Sequence, residues 1–347
     1  MKIAILNNQA FFVRGGAEVL ADSLKLQLER YGHQAEVIRI PFRWYPPENI
    51  LSHMFASRLL KLEAAEADLV IALKFPAYMM PFHNKKLWLL HQFRQVYDLW
   101  GTPFHDFPNT PEALRIRDII IQADNRYLRE VREIYTNSKI VASRLKQHNN
   151  IDATAVLYPP LPKAELFHEG KAENYFFYPS RITKSKRQLV AVEAMRYVKS
   201  DFKLVLAGKA DNDAEDREIR AKIEQLGLKN RVEMYGYISD ERKADLMAKA
   251  VGCLYIPYNE DSYGYVTLEA FHSRKPVITF TDSGGTEELI EHEVNGMIVP
   301  PTPQDLADAM ERMWSNRSWT AELGEQAYET LNKHHINWDY VIERLLS

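Results

Sequence analysis

Gly252-Cys-Leu-Tyr-Ile256, Asp261-Ser-Tyr-Gly-Tyr-Val-Thr-Leu-Glu269 and Pro276-Val-Ile-Thr-Phe280, in that order, decide how this chain is read. The outer segments are apolar and strand-like, and the middle one opens a helix near Gly264. The result is a strand–loop–helix–strand unit, the building block of a parallel sheet with helices on its faces. A helix starting there turns its free N–H groups and positive dipole end toward the loop. Asp261 and Glu269, eight residues apart, flank that anion-attracting end. Such a pairing suits a ligand carrying both a diphosphate and hydroxyl-rich sugars, and a nucleotide-sugar is such a ligand.

The same alternation extends in both directions. Strand-like runs fall at 2–8, 35–40, 69–73, 87–90, 133–136 and 153–157, and resume at 175–178, 203–207, 232–235, 252–256, 277–280 and 297–299. Helical patterns lie between them, such as 17–30 (closed by Gly32), 111–132 and a short one at 286–291. Pro159-Pro160-Leu161-Pro162 and the polar stretch to Lys171 read as a stiff linker. This predicts an α/β protein of two doubly wound, Rossmann-like halves, residues 1–165 and 172–325. The helices of 326–347 are expected to pack back on the first half. Ligands of such sheets bind beyond the carboxyl ends of the strands, and two facing domains would line one interdomain cleft.

A chain of 347 residues with 46% hydrophobic and 26% charged residues is an ordinary soluble globular composition. The net charge of −3 argues against a general nucleic-acid binder. The first 165 residues carry 21 Lys+Arg against 17 Asp+Glu and the remainder 23 against 30, a mildly basic first half. Cys253 is the only cysteine, so no disulfide framework exists. The opening Met-Lys-Ile-Ala-Ile-Leu-Asn-Asn lacks the pattern of a secretory leader, and a reducing cytoplasmic location is expected. The most apolar stretch, 69–82, contains Lys74 and two prolines. Membrane contact would therefore be at most peripheral, at the inner face.

The chemistry-bearing residues cluster just after strands. Arg14-Gly15-Gly16-Ala17-Glu18 follows the first strand, where two glycines let backbone approach an anion. A tight strand-to-helix turn would read the same, and the G-x-G-x-x-G fingerprint of dinucleotide sites is absent. Arg181, Lys184, Lys186 and Arg187 follow the first strand of the second half, and suit a diphosphate better than a merely solvated loop. His91 ends the strand 87–90, suggesting a polar contact with substrate. Arg94, Tyr97, Asp98 and Trp100 beyond it read as an acceptor surface, with packing an equal explanation for Tyr97 and Trp100. The glycines of Asp282-Ser-Gly-Gly-Thr-Glu287 admit phosphate or sugar oxygens, or simply a helix entry. Asp211-Asn212-Asp213 has a D-x-D form but lies in a charged, solvated helix start. The histidines lack zinc-site spacing, so no metal site is expected.

Taken together these residues resemble the retaining glycosyltransferases of family 4, which have the GT-B fold. The likeness runs over nearly the whole chain and is strongest from 175 to 300. The family's E-x7-E motif falls on Asp261 and Glu269, with Tyr263-Gly264 at its usual Phe-Gly. Its paired phosphate binders fall on Arg181 and Lys186, its glycine loop on Gly15-Gly16, and its cleft histidine on His91. The resemblance implies catalytic roles for His91, Arg181, Lys186 and Asp261. It implies donor contacts from Gly15, Gly16, Tyr237, Ile238, Tyr263, Gly264, Tyr265 and Glu269. Glu269 would bind the ribose hydroxyls, Asp261 the transferred sugar, and the turn 235–238 the base. No cofactor beyond the nucleotide-sugar substrate is implied. The acceptor would be a glycan, a lipid-linked sugar or a small molecule.

Two positions depart from the family. Asp261 is shorter than the usual Glu, with Glu260 beside it as a substitute. Arg187 stands where Gly is common, and would serve the phosphates or face solvent. No second carboxylate offers itself as a nucleophile in the N-terminal loops. Retention would then follow front-side attack, the leaving phosphate deprotonating the acceptor. The competing readings are a dinucleotide-dependent oxidoreductase and a non-catalytic subunit that keeps the fold.

Overall fold

The computed structural model describes residues 1–12, 14–60 and 66–347. The chain divides into two compact units, 1–162 with 336–347, and 163–335. The first contains β1 (Lys2–Gln9), α1 (Gly16–Arg30), β2 (Gln34–Pro41), α2 (Glu48–Leu59), β3 (Leu69–Ala72), β4 (Lys85–Leu89), α3 (Pro111–Tyr127), β5 (Glu133–Thr136), α4 (Lys139–Asn149) and β6 (Ala155–Val156). The second runs β7 (Tyr175–Pro179), α5 (Gln188–Ala194), β8 (Lys203–Ala207), α6 (Asp213–Gln225), β9 (Val232–Met234), α7 (Asp240–Lys249), β10 (Cys253–Leu254), α8 (Gly264–His272), β11 (Val277–Phe280), β12 (Gly296–Val299), α9 (Pro303–Ser315) and α10 (Arg317–Lys333). Helix α11 (Trp338–Leu346) returns to the first unit, whereas α10 stays with the second.

Each unit is built on one parallel sheet, ordered β2-β1-β3-β4-β5-β6 and β12-β11-β10-β7-β8-β9 among the described residues. Strands buried on both faces read as unbroken apolar runs, which is why most were legible. Side chains alternate across the first sheet. Ala4 and Leu6 join one core with Ile50, Ile116 and Val141. Ile3 and Ile5 join the other with Leu20 and Leu24 of α1 and Val341, Ile342 and Leu345 of α11. Strand order reverses between β1 and β3 in one sheet and between β7 and β10 in the other. The crevices at the carboxyl ends of those strand pairs are where open α/β sheets take ligands.

Two local expectations change. The helix expected over 286–291 is a single 3-10 turn, Gly285–Glu288. Strand β10 is only Cys253–Leu254, shorter than 252–256, although the Tyr255 N–H still donates to the Ile278 carbonyl of β11 at 3.0 Å. Among the described residues no helix is long and apolar enough to cross a membrane.

Candidate active site

The cation loop of the second unit leaves β7 at its carboxyl end. Gly208, at the end of β8, lets it pass: a Cβ there would lie 1.9 Å from the Ser180 carbonyl oxygen. The loop closes in a 3-10 turn, Lys184–Lys186, capped by Thr183. Lys186 turns inward. Its ammonium lies 2.9 Å from the Tyr255 hydroxyl and 3.0 Å from Glu260 Oε1. Arg181 is 70% exposed and pairs with Asp211 at 3.1 Å. The D-x-D stretch is thereby used otherwise: Asp211 holds Arg181, and Asn212 caps α6 by accepting from Ala214 and Glu215 N–H.

Arg187 corrects both roles expected of it. It neither reaches for a phosphate nor faces solvent. Its guanidinium donates to the carbonyls of Ile256 (2.7 Å) and Pro257, and grips Asp282 with two nitrogens at 2.8 and 2.9 Å. Its backbone is left-handed, φ 58°. Glycine pays nothing for that conformation, which explains the residue common at this position. Arg187 therefore ties together the loops that follow β7, β10 and β11.

Those loops are also packed backbone to backbone. Gly285 N–H donates to the Glu260 carbonyl at 2.9 Å, and Glu260 N–H to the Ser283 carbonyl at 3.0 Å. A Cβ on Gly284 would sit 2.5 Å from the Glu260 carbonyl oxygen, and one on Gly285 2.7 Å from Ser262 Cα. The paired glycines thus seat the acid loop rather than admit phosphate or sugar oxygens. Gly264 opens α8 at φ 71°, where a Cβ would strike the Tyr255 ring at 2.5–2.7 Å. Tyr255 is 4% exposed and meets Lys186 on one side and Gly264 on the other. Burial, then the charges of Glu260, Asp261 and Glu269, push its hydroxyl pKa well up, so it stays protonated. Tyr263 is buried and Tyr265 half-buried in the same turn, its hydroxyl pKa raised by burial.

Glu269 lies one turn farther along α8, 5% exposed. Lys243 of α7 donates to its Oε1 at 2.5 Å, while Oε2 is buried with no hydrogen-bond partner among the described residues. Burial raises its pKa and Lys243 opposes that rise. A buried carboxylate oxygen without a donor is costly, and a hydroxyl donor, from water or from a ligand, would relieve it. The turn expected to meet the base follows β9, with Gly236 at φ 64°, Tyr237 82% exposed and Ile238 half-buried.

In the first unit, Gly15 caps α1 and donates its N–H to Glu18 Oε2 at 2.8 Å, with Gly16 exposed as the first helical residue. Glu18 is buried and receives Lys74 Nζ at 2.9 Å, from the loop after β3. Burial alone would raise its pKa; Lys74 and the Gly15 N–H outweigh it, and the net shift is downward. His91, half-buried beyond β4, has Nδ1 2.6 Å from the Gln92 carbonyl oxygen. An Nδ1–H donated there leaves Nε2 as an acceptor. The acceptor surface expected around Tyr97 resolves into packing. Tyr97 is 6% exposed and donates to buried Asp124, while Asp98 is held by Arg94 and Arg144.

The structure thus gathers Arg181, Lys186, Glu260, Asp261, Gly264 and Glu269 around the β7/β10 crevice. It places Gly15, Gly16 and His91 at strand ends of the other sheet. Sequence reasoning missed Lys243, Tyr255, Lys74 and the bracing role of Arg187. A charged residue four positions past a helix cap, as Lys243 is past Ser239, reads as solvent-facing, and a tyrosine after a strand reads as core.

Residues 164–330 match the family model described as "Glycosyl transferases group 1". The human alpha-1,3/1,6-mannosyltransferase ALG2 is 30% identical over 158 residues, 42% of this chain and 38% of that protein. The chain therefore spans well under two thirds of that relative's length. The Escherichia coli O-antigen chain mannosyltransferase C is 24% identical over 71% of this chain and 74% of its own. Among solved structures, Anabaena Alr3699/HepE in complex with UDP and glucose superposes with a TM-score of 0.74 at 21% identity, covering 99% of both chains. The fold is GT-B, and the likenesses support a glycosyltransferase. The oxidoreductase reading finds no support in them.

Proposed function

We propose that the chain is a retaining glycosyltransferase. It would move a hexosyl group from a nucleotide-sugar to a hydroxyl acceptor in glycan, polysaccharide or glycoconjugate assembly, without a metal ion. The observation that carries this reading is the meeting, at the β7/β10 crevice, of the Arg181 and Lys186 cations with the unpaired Glu269 Oε2. The second unit takes the donor. The diphosphate exchanges places with the carboxylate partners of Arg181 and Lys186, and approaches the N-terminal end of α8. Glu269 Oε2 accepts from the ribose, and the base rests on the turn 235–238. Asp261, whose charge bears on Tyr255 together with that of Glu260, would contact the transferred sugar.

Charge grows on the leaving phosphate as the glycosidic bond breaks, and fixed cations stabilise it more than they stabilise bound donor. The phosphate oxygen then takes the acceptor proton on the same face, and the anomeric configuration is kept. Gly15 and Gly16 of the first unit would approach the donor diphosphate, and His91 would bond a sugar hydroxyl near the reacting carbon. The names of two relatives make a mannosyl donor the first to try. Peripheral membrane contact belongs to the same reading, through exposed Trp44, Tyr45, Phe55 and Leu59.

The test is transfer from a panel of UDP-, GDP-, ADP- and dTDP-sugars, with EDTA present and the product anomer read by NMR. Arg181→Ala and Lys186→Ala should each lower kcat by about 10²–10³, the usual loss for one such donor. Near-wild-type turnover in both variants, or an inverted product, would overturn the proposal.

A further inference from the structure

Lys243 is the one charged side chain in contact with Glu269 among the hydrogen bonds and ion pairs resolved, and it comes from a different element, α7. Ser239 caps that helix, and Lys243 lies on its inner side with Ala244 and Met247. Its side chain is 23% exposed and spans from Asp240 Oδ1 (3.6 Å) to Glu269 Oε1 (2.5 Å), over the Phe167 ring at 5.7 Å. A carboxylate that is nearly fully buried with no cation would take up a proton rather than stay charged. Lys243 supplies that cation on one oxygen only and leaves the other without a donor.

We infer that Lys243 is a positioning residue for donor binding: it holds Glu269 as a carboxylate and, by occupying Oε1, presents Oε2 as the acceptor for the ribose hydroxyls. The inference rests on the reading of Glu269 as the ribose ligand. The titratable groups that face this pair are few. Asp240 shares Lys243 and is itself paired with Lys163 at 3.2 Å. Cys253 of β10 and Tyr255 beyond it feel the Glu269 charge, and both are held protonated by burial. Tyr175 of β7 is occupied with the Leu246 carbonyl. None of these replaces the lysine as a cation. Without it, burial drives Glu269 further toward its protonated form, and its charge returns as pH rises.

The experiment measures Kd for UDP and GDP with the full chain from pH 6.5 to 9, with inorganic pyrophosphate as a probe of the cation loop alone. Lys243→Met should bind the preferred nucleotide about tenfold more weakly at pH 7, the size of one charge-assisted hydrogen bond, and recover as pH rises toward 9. Wild type should vary little over that range. Lys243→Arg should stay within about threefold of wild type, and Glu269→Gln should match Lys243→Met at pH 7 but show no recovery. Pyrophosphate affinity should be unchanged in all variants, which also certifies the fold; Lys243→Gln carries the same test if the methionine variant does not fold. A Lys243→Met loss that is absent, or equal at every pH, overturns the inference. Unchanged nucleotide affinity in Glu269→Gln overturns instead the ribose reading beneath it.

Discussion

Arg187 offers a measurement in which geometry sets both the size and the order of effects. Replacing it by Met removes two charge-assisted bonds to the Ile256 and Pro257 carbonyls, at about 1.5 kcal/mol each. It also removes the Asp282 pair. Asp282 is 36% exposed, so that pair is discounted to about 1 kcal/mol. The methionine stays in the left-handed conformation at φ 58° that Arg187 adopts, so no strain is relieved. Arg187→Met should therefore cost about 4 kcal/mol. Arg187→Gly loses the same contacts but recovers about 1 kcal/mol of backbone strain, and should cost about 3. Asp282→Asn should cost about 1 kcal/mol, and the Arg187/Asp282 double-mutant cycle should show coupling of similar size. Urea unfolding of the full chain, followed through the second unit's Trp314 and Trp319, gives each value. A unit of this size should lose about 2–4 °C of melting temperature per kcal/mol. The turn carrying Lys186 loses its anchor at the same time, so kcat should fall with stability. An Arg187→Met cost below about 1 kcal/mol would refute the bracing role, as would a glycine variant less stable than the methionine one.

Gly264→Ala combines a φ of 71° with a Cβ 2.5 Å from the buried Tyr255 ring, and should cost about 2–4 kcal/mol and weaken nucleotide binding. Gly227→Ala, at φ 67° with nothing within 4 Å, isolates the backbone share and should cost about 1–2 kcal/mol; equal losses in a thermal melt would contradict the steric argument. Asp124 is fully buried between the Tyr78 and Tyr97 hydroxyls, at 2.5 and 2.8 Å, and burial pushes its pKa up to about 7 against those bonds. The unfolded carboxyl titrates near pH 4, so the folded state holds the extra proton between about pH 4 and 7. The group's contribution is thus full at low pH and fades as pH rises through 7. From pH 5 to 8 the wild type should lose about 2–3 kcal/mol more than Asp124→Asn, and parallel pH profiles in urea would exclude it.

Strands 133–136, 203–207 and 277–280 lie where their apolar runs put them, because a strand covered on both faces carries its burial in its own composition. Strand β4 begins two residues before its apolar run for the opposite reason. Lys85 and Lys86 read as solvent-facing but are 1% and 3% exposed, Lys85 donating to the Tyr78 and Met80 carbonyls. The same blindness hid Lys243 and Arg187. Charge alone does not tell whether a partner waits elsewhere in the fold, and Glu269 and Asp282 stand 26 and 95 residues away. Glycine was legible as a need for close approach but not as to what approaches. Gly264 meets a side chain, whereas Gly284 and Gly285 meet backbone. The motif spacing located the crevice; the braces around it exist only in three dimensions.

Helix α11 has a consequence for how the protein is made. Val341, Ile342 and Leu345 are at most 1% exposed, packed with Ile3, Ile5 and Trp88 of the first sheet, and the Tyr135 hydroxyl donates to the Arg344 carbonyl. Domains ordinarily fold in the order of their synthesis. Here the unit begun first is finished last, since its closing helix leaves the ribosome after every residue of the second. Until then one face of the first sheet stays partly bare. A chain cut before α11 would leave that apolar face uncovered while the second unit is already folded. Residues 336–347 thus make completion of the first unit's core wait on synthesis of the whole second unit.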